Sequence, residues 1–228
     1  MSGPGVRVNV GCGPHPTPGW INVDNSPSVL LGRVPARVVG LLKRIGLVGP
    51  EQLEVLEAAR RWGIRWGRAT RLPFDAASVD AVYSSHMLEH LDRGEARQFL
   101  AEAHRVLRPG GWIRIVVPDL ALLVEDYLGS GDADAFLERQ MLARPRPRGV
   151  GEALRQRVVG FRGHRWMYDA GSLARLLSES GFGPVHVVAA GETHVPRLDG
   201  LDLRERESES VYLEAQRPLG PAGPARGR

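Results

Sequence analysis

The feature that most constrains this chain is a short run of β-branched residues that ends abruptly in glycines. Residues 7–10 read Arg-Val-Asn-Val, and Gly11-Cys12-Gly13-Pro14 follows at once. A run of this kind predicts a buried strand that feeds a tight turn. Because Gly11 and Gly13 lack a Cβ atom, the backbone can bend sharply there and approach a ligand closely. The sequence therefore predicts a first strand that ends at a ligand-binding turn.

Strand-like and helix-like segments then alternate along the chain. Further strands are predicted at residues 20–23, 64–66, 79–83, 112–117, 185–189 and 211–215. Helices are predicted at residues 94–107, 120–128, 133–142 and 172–180. This alternation predicts an α/β fold, a Rossmann-like doubly wound sheet of about seven strands, mostly parallel with an antiparallel C-terminal strand pair. Ligands of such sheets bind at the carboxyl ends of the strands.

An insertion separates the second and third strands. Residues 28–61 carry apolar side chains at spacings of three and four, which predicts two helices there. We expect this insertion to form a lid on a single domain over residues 1–217, followed by a disordered tail at 218–228. Residues 37–48 are basic and apolar at helical spacing, so a contact with a membrane surface is an alternative to packing on the domain.

The composition excludes several classes of protein. Hydrophobic residues make up 43% and charged residues 25%, which is typical of a globular chain rather than a disordered one. The sequence has neither an apolar run of transmembrane length nor a recognisable secretory signal, so we expect a cytoplasmic protein. A single cysteine excludes an intramolecular disulfide and a cysteine-based zinc site. The net charge of +4 comes from scattered arginines, which argues against nucleic acid as a partner.

Five segments, taken in order, resemble one enzyme family. They are VNVGCG at 8–13, Asp24 at the end of the second strand, LPFDAASVDAVYSSHMLEHL at 72–91, HRVLRPGGWIRIVVPDL at 104–120 and SGF at 180–182. Each segment alone is common, but their order and spacing resemble the class I S-adenosylmethionine-dependent methyltransferases of the type-11 kind. The resemblance covers most of the chain. It implies S-adenosyl-L-methionine as the cofactor and methyl transfer as the activity.

The cofactor site is predicted from this resemblance together with the positions of the residues. Asp24 is placed to accept hydrogen bonds from both ribose hydroxyls. Arg68 stands where similar enzymes often carry an aspartate for the adenine amino group, so adenine must rely on backbone groups and apolar packing nearby. The residues predicted to bind the cofactor are Gly11, Cys12, Gly13, Asp24, Ala69, Thr70, Leu72, Ser84 and Ser85.

The acceptor side of the site is predicted after the fourth and fifth strands and in a later loop. His86 is the leading candidate for a general base, because an imidazole with a pKa near 6.5 can take a proton from an acceptor hydroxyl. Asp119 and His164 are further catalytic candidates, although Asp119 also suits a helix cap. Arg165 and Tyr168, together with His86, are predicted to bind the acceptor.

The sequence predicts no metal site. His86 and His90 are four residues apart, but residues 86–90 read His-Met-Leu-Glu-His, whereas the metalloprotease order is His-Glu-x-x-His. Glu89 and His90 are therefore expected to have packing and capping roles.

The predicted function is O-methylation of a small-molecule acceptor, a hydroxyl of a sugar, a glycolipid precursor or a secondary metabolite. An RNA methyltransferase is an alternative, but residues 84–87 read Ser-Ser-His-Met rather than an Asn/Asp-Pro-Pro-Tyr/Phe segment, and no separate binding domain is present. A non-catalytic S-adenosylmethionine-binding protein is a third interpretation. The sequence gives it little support, because the glycines and Asp24 of the predicted cofactor site are intact. The sequence does not identify the acceptor or the oligomeric state.

Overall fold

Seven strands form one sheet at the centre of the molecule. In the computed structural model, which describes residues 5–141, 163–196 and 198–219, they are β1 Arg7–Val10, β2 Ile21–Asp24, β3 Arg65–Trp66, β4 Val79–Ser85, β5 Leu107–Pro118, β6 Val185–Val188 and β7 Ser210–Gln216. Their order across the sheet is β3-β2-β1-β4-β5-β7-β6. β7 is antiparallel to β5 and β6, and the other pairs are parallel. This sheet confirms the predicted fold class.

Helices connect the strands. Within the described part of the chain they are α1 Pro27–Leu31, α2 Ala36–Arg44, α3 Pro50–Trp62, α4 Arg93–Val106, α5 Leu120–Ser130, α6 Ala133–Arg139 and α7 Ala170–Glu179, with a 3-10 turn at Leu88–His90. Polar side chains begin several of them. The carboxylate of Asp92, for example, accepts from the N–H of Glu95 at 2.8 Å at the start of α4. The tail predicted from residue 218 falls outside the described residues from 220 onward.

Two predictions about the helices and strands were wrong, namely the number of helices in the insertion and the first residue of β5. The insertion contains three helices rather than two, because Ser26 and Pro27 begin a separate short helix that ends at Gly32. β5 begins at Leu107 rather than at residue 112, because the backbone becomes extended immediately after α4. Pro109-Gly110-Gly111 therefore lies inside the strand. The register between β4 and β5 shifts at this point, as expected of a bulge.

The main core lies between the sheet and helices α4 and α7. Four residues of α4 at helical spacing have no exposed surface: Ala96, Phe99, Leu100 and Ala103. Leu173 and Leu177 of α7 are equally buried and belong to the same cluster. A second cluster covers the other side of the sheet and includes Trp20, Tyr83 and Tyr212. The site therefore rests on a sheet that is packed on both faces.

A buried ion pair joins β5 to β7. Arg114 and Glu214 are 1% and 0% exposed in their side chains, and Nη1 lies 2.5 Å from Oε1. Glu214 also accepts from the hydroxyl of Thr193 and the N–H of His194, each at 2.6 Å. A charge pair buried in this way tolerates no slip in register, because a slip leaves both charges without a partner.

The inserted helices differ in how they pack. α1 and α3 contact each other and join the turn after β1 through a small cluster that contains Cys12, Val29 and Val55. α2 buries only Val39, whereas Leu41 and Ile45 at its end are more than half exposed. In the ranges that the structure covers, no helix is both long and apolar enough to cross a membrane.

Candidate functional site

The carboxyl ends of the parallel strands lie at one edge of the sheet, and the first group of predicted site residues lies along it. β1 and β4 are neighbours at the centre, and the chain proceeds from them toward opposite sides of the sheet. Doubly wound sheets bind ligands at such a switch point. Gly11 and His86 follow β1 and β4 directly, and Asp24 ends β2. The fold thus brings these three residues to the same edge.

A backbone hydrogen bond joins the glycine turn after β1 to the neighbouring strand β2. Gly11 has φ +75°, and its N–H donates to the carbonyl of Val23 at 2.8 Å. A Cβ atom on Gly11 would collide with the side chain of Met87, whereas a Cβ atom on Gly13, which has φ +51°, would meet nothing within 4 Å. The surroundings of the two glycines therefore differ, and their contacts with the cofactor stay a prediction. Gly11 makes room for Met87, and Gly13 borders open space.

The Asp24 carboxylate joins the turns that follow β1 and β2. One oxygen accepts from the N–H of Gly13 at 2.9 Å, and the other accepts from the N–H of Ser26 at 2.7 Å. Asp24 is 9% exposed, so the carboxylate lies at the boundary between the interior and solvent. Each oxygen has a further lone pair, which allows Asp24 to accept hydrogen bonds from a ligand as well.

Cys12 is buried beneath the inserted helices. Its side chain packs with Val29, Val55 and Ala59, and it is 7% exposed. Burial raises the pKa of the Cys12 thiol, and the nearby negative charge of Asp24 adds to this effect. The thiol therefore stays protonated and packs as a small apolar group. A ligand would meet the backbone of Cys12 rather than its sulfur.

The turn after β3 contains the residues predicted to contact adenine. Arg68 and Arg71 pair across this turn, and Ala69 and Thr70 lie half-buried at its tip. Leu72 is 3% exposed and belongs to the main core, and its N–H already donates to a carboxylate of α4. Ala69 and Thr70 thus remain available to a ligand, while the side chain of Leu72 supports the turn from below.

The end of β4 buries two hydroxyl groups. Ser84 is 1% exposed, and neither its Oγ nor that of Ser85 has a hydrogen-bond partner. A buried hydroxyl without a partner costs free energy, and native proteins contain few of them. A ligand that pairs with these groups would remove that cost.

His86 follows β4 in a strained conformation. Its φ of +47° is uncommon for a residue other than glycine, and such residues cluster at functional sites. The imidazole Nε2 lies 3.0 Å from Oγ of Ser210, while Nδ1 lies 3.4 Å from a carboxylate oxygen of Glu89 and 3.5 Å from Nη1 of Arg206. Glu89 is buried and Arg206 is half exposed, so solvent screens the arginine more strongly. The guanidinium can only donate, so its contact favours a lone pair on Nδ1, whereas the carboxylate of Glu89 favours a proton there; the two neighbours thus favour opposite tautomers of the ring.

Asp119 and Arg165 are engaged in contacts of a structural kind. The Asp119 carboxylate accepts from the N–H of Ala121 at 3.0 Å and caps α5. The exposed Arg165 guanidinium lies 3.1 Å from Glu95 on the surface of α4. These contacts give both residues a structural role, while catalysis by Asp119 and acceptor binding by Arg165 stay predictions. The expectation for Asp119 as a helix cap agrees with them.

Tyr168 and His164 are both buried. Tyr168 is 0% exposed and lies in the main core, so its side chain does not line a surface that an acceptor reaches. Burial raises the pKa of the Tyr168 phenol to about 12. His164 is 7% exposed and packs edge-on against His90, with ring centroids 5.1 Å apart. Burial also lowers the pKa of the His164 imidazole, which is therefore neutral near pH 7.

Sequence reasoning missed all three side chains that lie beside the ring nitrogens of His86, which are Ser210, Glu89 and Arg206. Ser210 lies immediately before the predicted last strand, and Glu89 was expected only to pack or to cap. The carboxylate of Glu89 is 1% exposed and has no hydrogen-bond partner on either oxygen. A charged residue that follows Leu88 directly inside an apolar stretch is the only signal in the sequence.

Comparisons with known proteins agree with this architecture. Residues 48–115 match the family model described as a methyltransferase domain. A probable S-adenosylmethionine-dependent methyltransferase of Mycolicibacterium smegmatis is 37% identical over 90 residues, which cover 40% of this chain and 33% of that protein. An uncharacterized 37.1 kDa protein in a transposon of Streptomyces fradiae is 32% identical over 127 residues, 53% of this chain and 32% of that protein. The chain thus spans about a third of the length of the curated relatives it matches.

Solved structures share the whole fold. A methyltransferase of Thermotoga maritima, described as a possible histamine N-methyltransferase, superposes with a TM-score of 0.55 at 18% identity and covers 95% of this chain and 84% of its own. A methyltransferase of Methanosarcina mazei superposes with a TM-score of 0.50 at 20% identity, over 96% of this chain and 95% of its own. At these identities the likeness establishes the fold.

Proposed function

We propose that this chain is a class I S-adenosylmethionine-dependent methyltransferase that methylates a small-molecule acceptor, because residues 48–115 match a methyltransferase family model and the fold is that of solved methyltransferases. We further propose that the acceptor atom is a hydroxyl oxygen of a sugar, a glycolipid precursor or a secondary metabolite. S-adenosyl-L-methionine is the cofactor, and it supplies a methyl group on a positively charged sulfur. The protein then has to bind, orient and deprotonate the acceptor.

The residues at the sheet edge fit this cofactor. The open space beside Gly13 accommodates a ligand that a side chain would displace. Asp24 retains lone pairs for the ribose hydroxyls after its two backbone hydrogen bonds. The unpartnered hydroxyls of Ser84 and Ser85 suit the polar end of the methionine part. Ala69 and Thr70 would approach the adenine through their backbone.

His86 is the base in this proposal, and its surroundings are the observation that carries it. The negative charge of the Glu89 carboxylate lies 3.4 Å from Nδ1 and would stabilise the imidazolium that forms when Nε2 takes the proton of the acceptor. The hydroxyl of Ser210 lies 3.0 Å from Nε2, and an acceptor hydroxyl would take the place of that contact. A carboxylate that orients an imidazole toward a hydroxyl is a recurrent arrangement for proton removal.

The surface of the insertion supports an acceptor with an apolar part. Leu41 of α2 and Ile45, which caps its C-terminal end, are 59% and 52% exposed, and Lys43 and Arg44 lie in the last turn of the same helix. An exposed apolar stripe beside basic residues suits a lipid-linked sugar with an anionic group better than a free sugar. Within the proposed acceptor classes, we therefore place the glycolipid precursor first.

The first test identifies the acceptor. The protein is incubated with S-adenosylmethionine that carries a labelled methyl group and with one candidate acceptor at a time. The candidates are a free sugar, a lipid-linked sugar phosphate in detergent, a phenolic metabolite and total RNA. We expect label in a small-molecule hydroxyl and none in RNA. Label in RNA alone would replace this proposal with the RNA methyltransferase alternative. A chain that fails to bind S-adenosylhomocysteine in calorimetry would contradict the cofactor site itself.

The second test concerns the base. His86→Ala should lower turnover on the accepted substrate by roughly 10²–10⁴-fold, because the proton loses its acceptor. The affinity for S-adenosylhomocysteine should stay within about twofold of wild type, since His86 is not among the residues proposed to hold the cofactor. His194→Ala, at an exposed histidine, is the matched control. Turnover close to wild type in His86→Ala would show that no base at this position is needed.

A further inference from the structure

Three metal-ligating side chains meet beside the proposed active site. Glu89 and His90 belong to the 3-10 turn that follows β4, and His164 comes from the loop before α7, more than 70 residues later in the chain. Each offers one ligand atom, and these atoms all lie within 4.8 Å of one another. The pattern of residues 86–90 did not predict this set, because its third member is brought in by the tertiary fold.

The cluster contains buried polar atoms without partners. Glu89 is 1% exposed, and both of its carboxylate oxygens lack a hydrogen bond. Nδ1 of His164 is also buried and without a partner. A buried carboxylate without a hydrogen bond is rare and unfavourable, and an approach of 3.4 Å to the imidazole of His86 replaces only part of the water that it has lost. Two adjacent groups in this condition point to a cation between them.

The third member is oriented as metal-bound histidines are. Nδ1 of His90 lies 3.3 Å from the carbonyl oxygen of Gly163, so this nitrogen carries the proton and donates it. Nε2 is then left with a free lone pair. Histidines that bind metals nearly always donate their other N–H to a carbonyl or a carboxylate in this way.

We propose that Glu89, His90 and His164 bind a divalent transition-metal ion, with zinc as the best match. Two histidines and one glutamate form a known zinc ligand set, and three protein ligands leave one position for water or for an oxygen of the acceptor. Zinc bonds of about 2.0–2.1 Å place neighbouring ligand atoms roughly 3.3 Å apart, so the present atoms have to approach by about 1.5 Å at most. Small side-chain rotations supply such a movement.

The ion would join two segments that the sheet alone leaves separate. The 3-10 turn extends from β4, and the backbone of Glu89 already accepts from the N–H of Arg165 at 2.8 Å. A metal bond to His164 would fix the same loop through its side chains.

Zinc binding to the full-length chain is the test, and it does not depend on methyl transfer. The protein is stripped with a chelator, dialysed and titrated with Zn²⁺ by calorimetry, and Co²⁺ is used for its visible absorption. We expect one ion to bind per chain and the melting temperature to rise with Zn²⁺. We also expect the visible absorption bands of bound Co²⁺ to be those of an ion with a low coordination number. Glu89→Gln and His164→Ala should each weaken Zn²⁺ binding by about 100-fold or more and abolish the rise in melting temperature.

His194→Ala is the control for zinc binding. His194 stacks on His186 with ring centroids 4.5 Å apart, which makes this pair the competing histidine site among the described residues. Its loss should change the Zn²⁺ affinity by less than about threefold. The proposal is overturned if the wild type takes up no ion, or if Glu89→Gln and His164→Ala, folded by circular dichroism, bind Zn²⁺ as the wild type does. Loss of binding in His194→Ala would also overturn it.

Discussion

A pair of alanine substitutions in the glycine turn separates what the fold requires from what a ligand requires. Gly11 and Gly13 have φ values of +75° and +51°, so an alanine is strained at either position. Their surroundings differ, because a Cβ atom on Gly11 would collide with Met87 and one on Gly13 would enter open space. The two variants should therefore fail in different ways.

The magnitudes follow from these surroundings. The left-handed conformation costs an alanine about 1–2 kcal/mol of unfolding free energy, and this loss applies to both variants. Displacing Met87 from a packed position adds about 1–3 kcal/mol in Gly11→Ala alone. Gly11→Ala should thus be less stable than Gly13→Ala by about 1–3 kcal/mol. Gly13→Ala should weaken binding of S-adenosylhomocysteine by roughly tenfold or more, equivalent to about 1.4 kcal/mol.

Urea denaturation measures the stabilities, and calorimetry with S-adenosylhomocysteine measures the affinities. The double variant Gly11→Ala/Met87→Ala tests the cause directly, since it removes Cγ of Met87, the nearest colliding atom, and leaves only Cβ at 2.8 Å. It should recover at least about 1 kcal/mol relative to the sum of the single changes. Equal stability losses in the two glycine variants would refute the collision with Met87. Unchanged affinity in Gly13→Ala would refute the placement of the cofactor beside that glycine.

Three further outcomes are expected. Asp24→Ala should weaken S-adenosylhomocysteine binding by about ten- to a hundred-fold, because charged hydrogen bonds to the ribose contribute about 1.5–3 kcal/mol, and unchanged affinity in calorimetry would contradict this role. Hydrogen exchange of residues 30–60 should slow when S-adenosylhomocysteine binds, whereas equal exchange in both states would mean that the insertion is a fixed element. Asp169→Ala should lower the unfolding free energy by about 1 kcal/mol, because it removes the side chain that caps α7. Hydrogen bonds from Ser172 lower the pKa of Asp169 in the folded state, so this contribution is present above about pH 4 and is lost as the pH falls below it, which acid titrations of both proteins check.

The elements that depend on local pattern were predictable from the sequence. Residues 7–10, in which Val8 and Val10 are β-branched, form β1 with the predicted bounds, and the glycines after them form the predicted turn. The period of the apolar residues in α4 identified its buried face. These features depend on neighbours within a few positions along the chain, which is the range over which a sequence pattern is informative.

The parts of the site that depend on distant segments were not predictable in the same way. Nothing near Gly11 indicates that Met87 fills the space beside it. The loop residue Tyr168 was expected to face an acceptor, yet the path of the chain buries it in the main core. His164 meets Glu89 and His90 only because the loop before α7 packs on the turn after β4.

The position of β7 has a consequence for synthesis on the ribosome. β7 lies between β5 and β6, so one edge of the 12-residue strand β5 has no partner until residues 210–216 have emerged. At about 5–20 residues per second, the roughly 90 residues between these strands take several seconds to translate. During that interval the nascent chain carries an open strand edge, to which other unfolded chains can pair. A chain arrested before Ser210 keeps that edge exposed, and its Arg114 lacks the carboxylate of Glu214 as a partner.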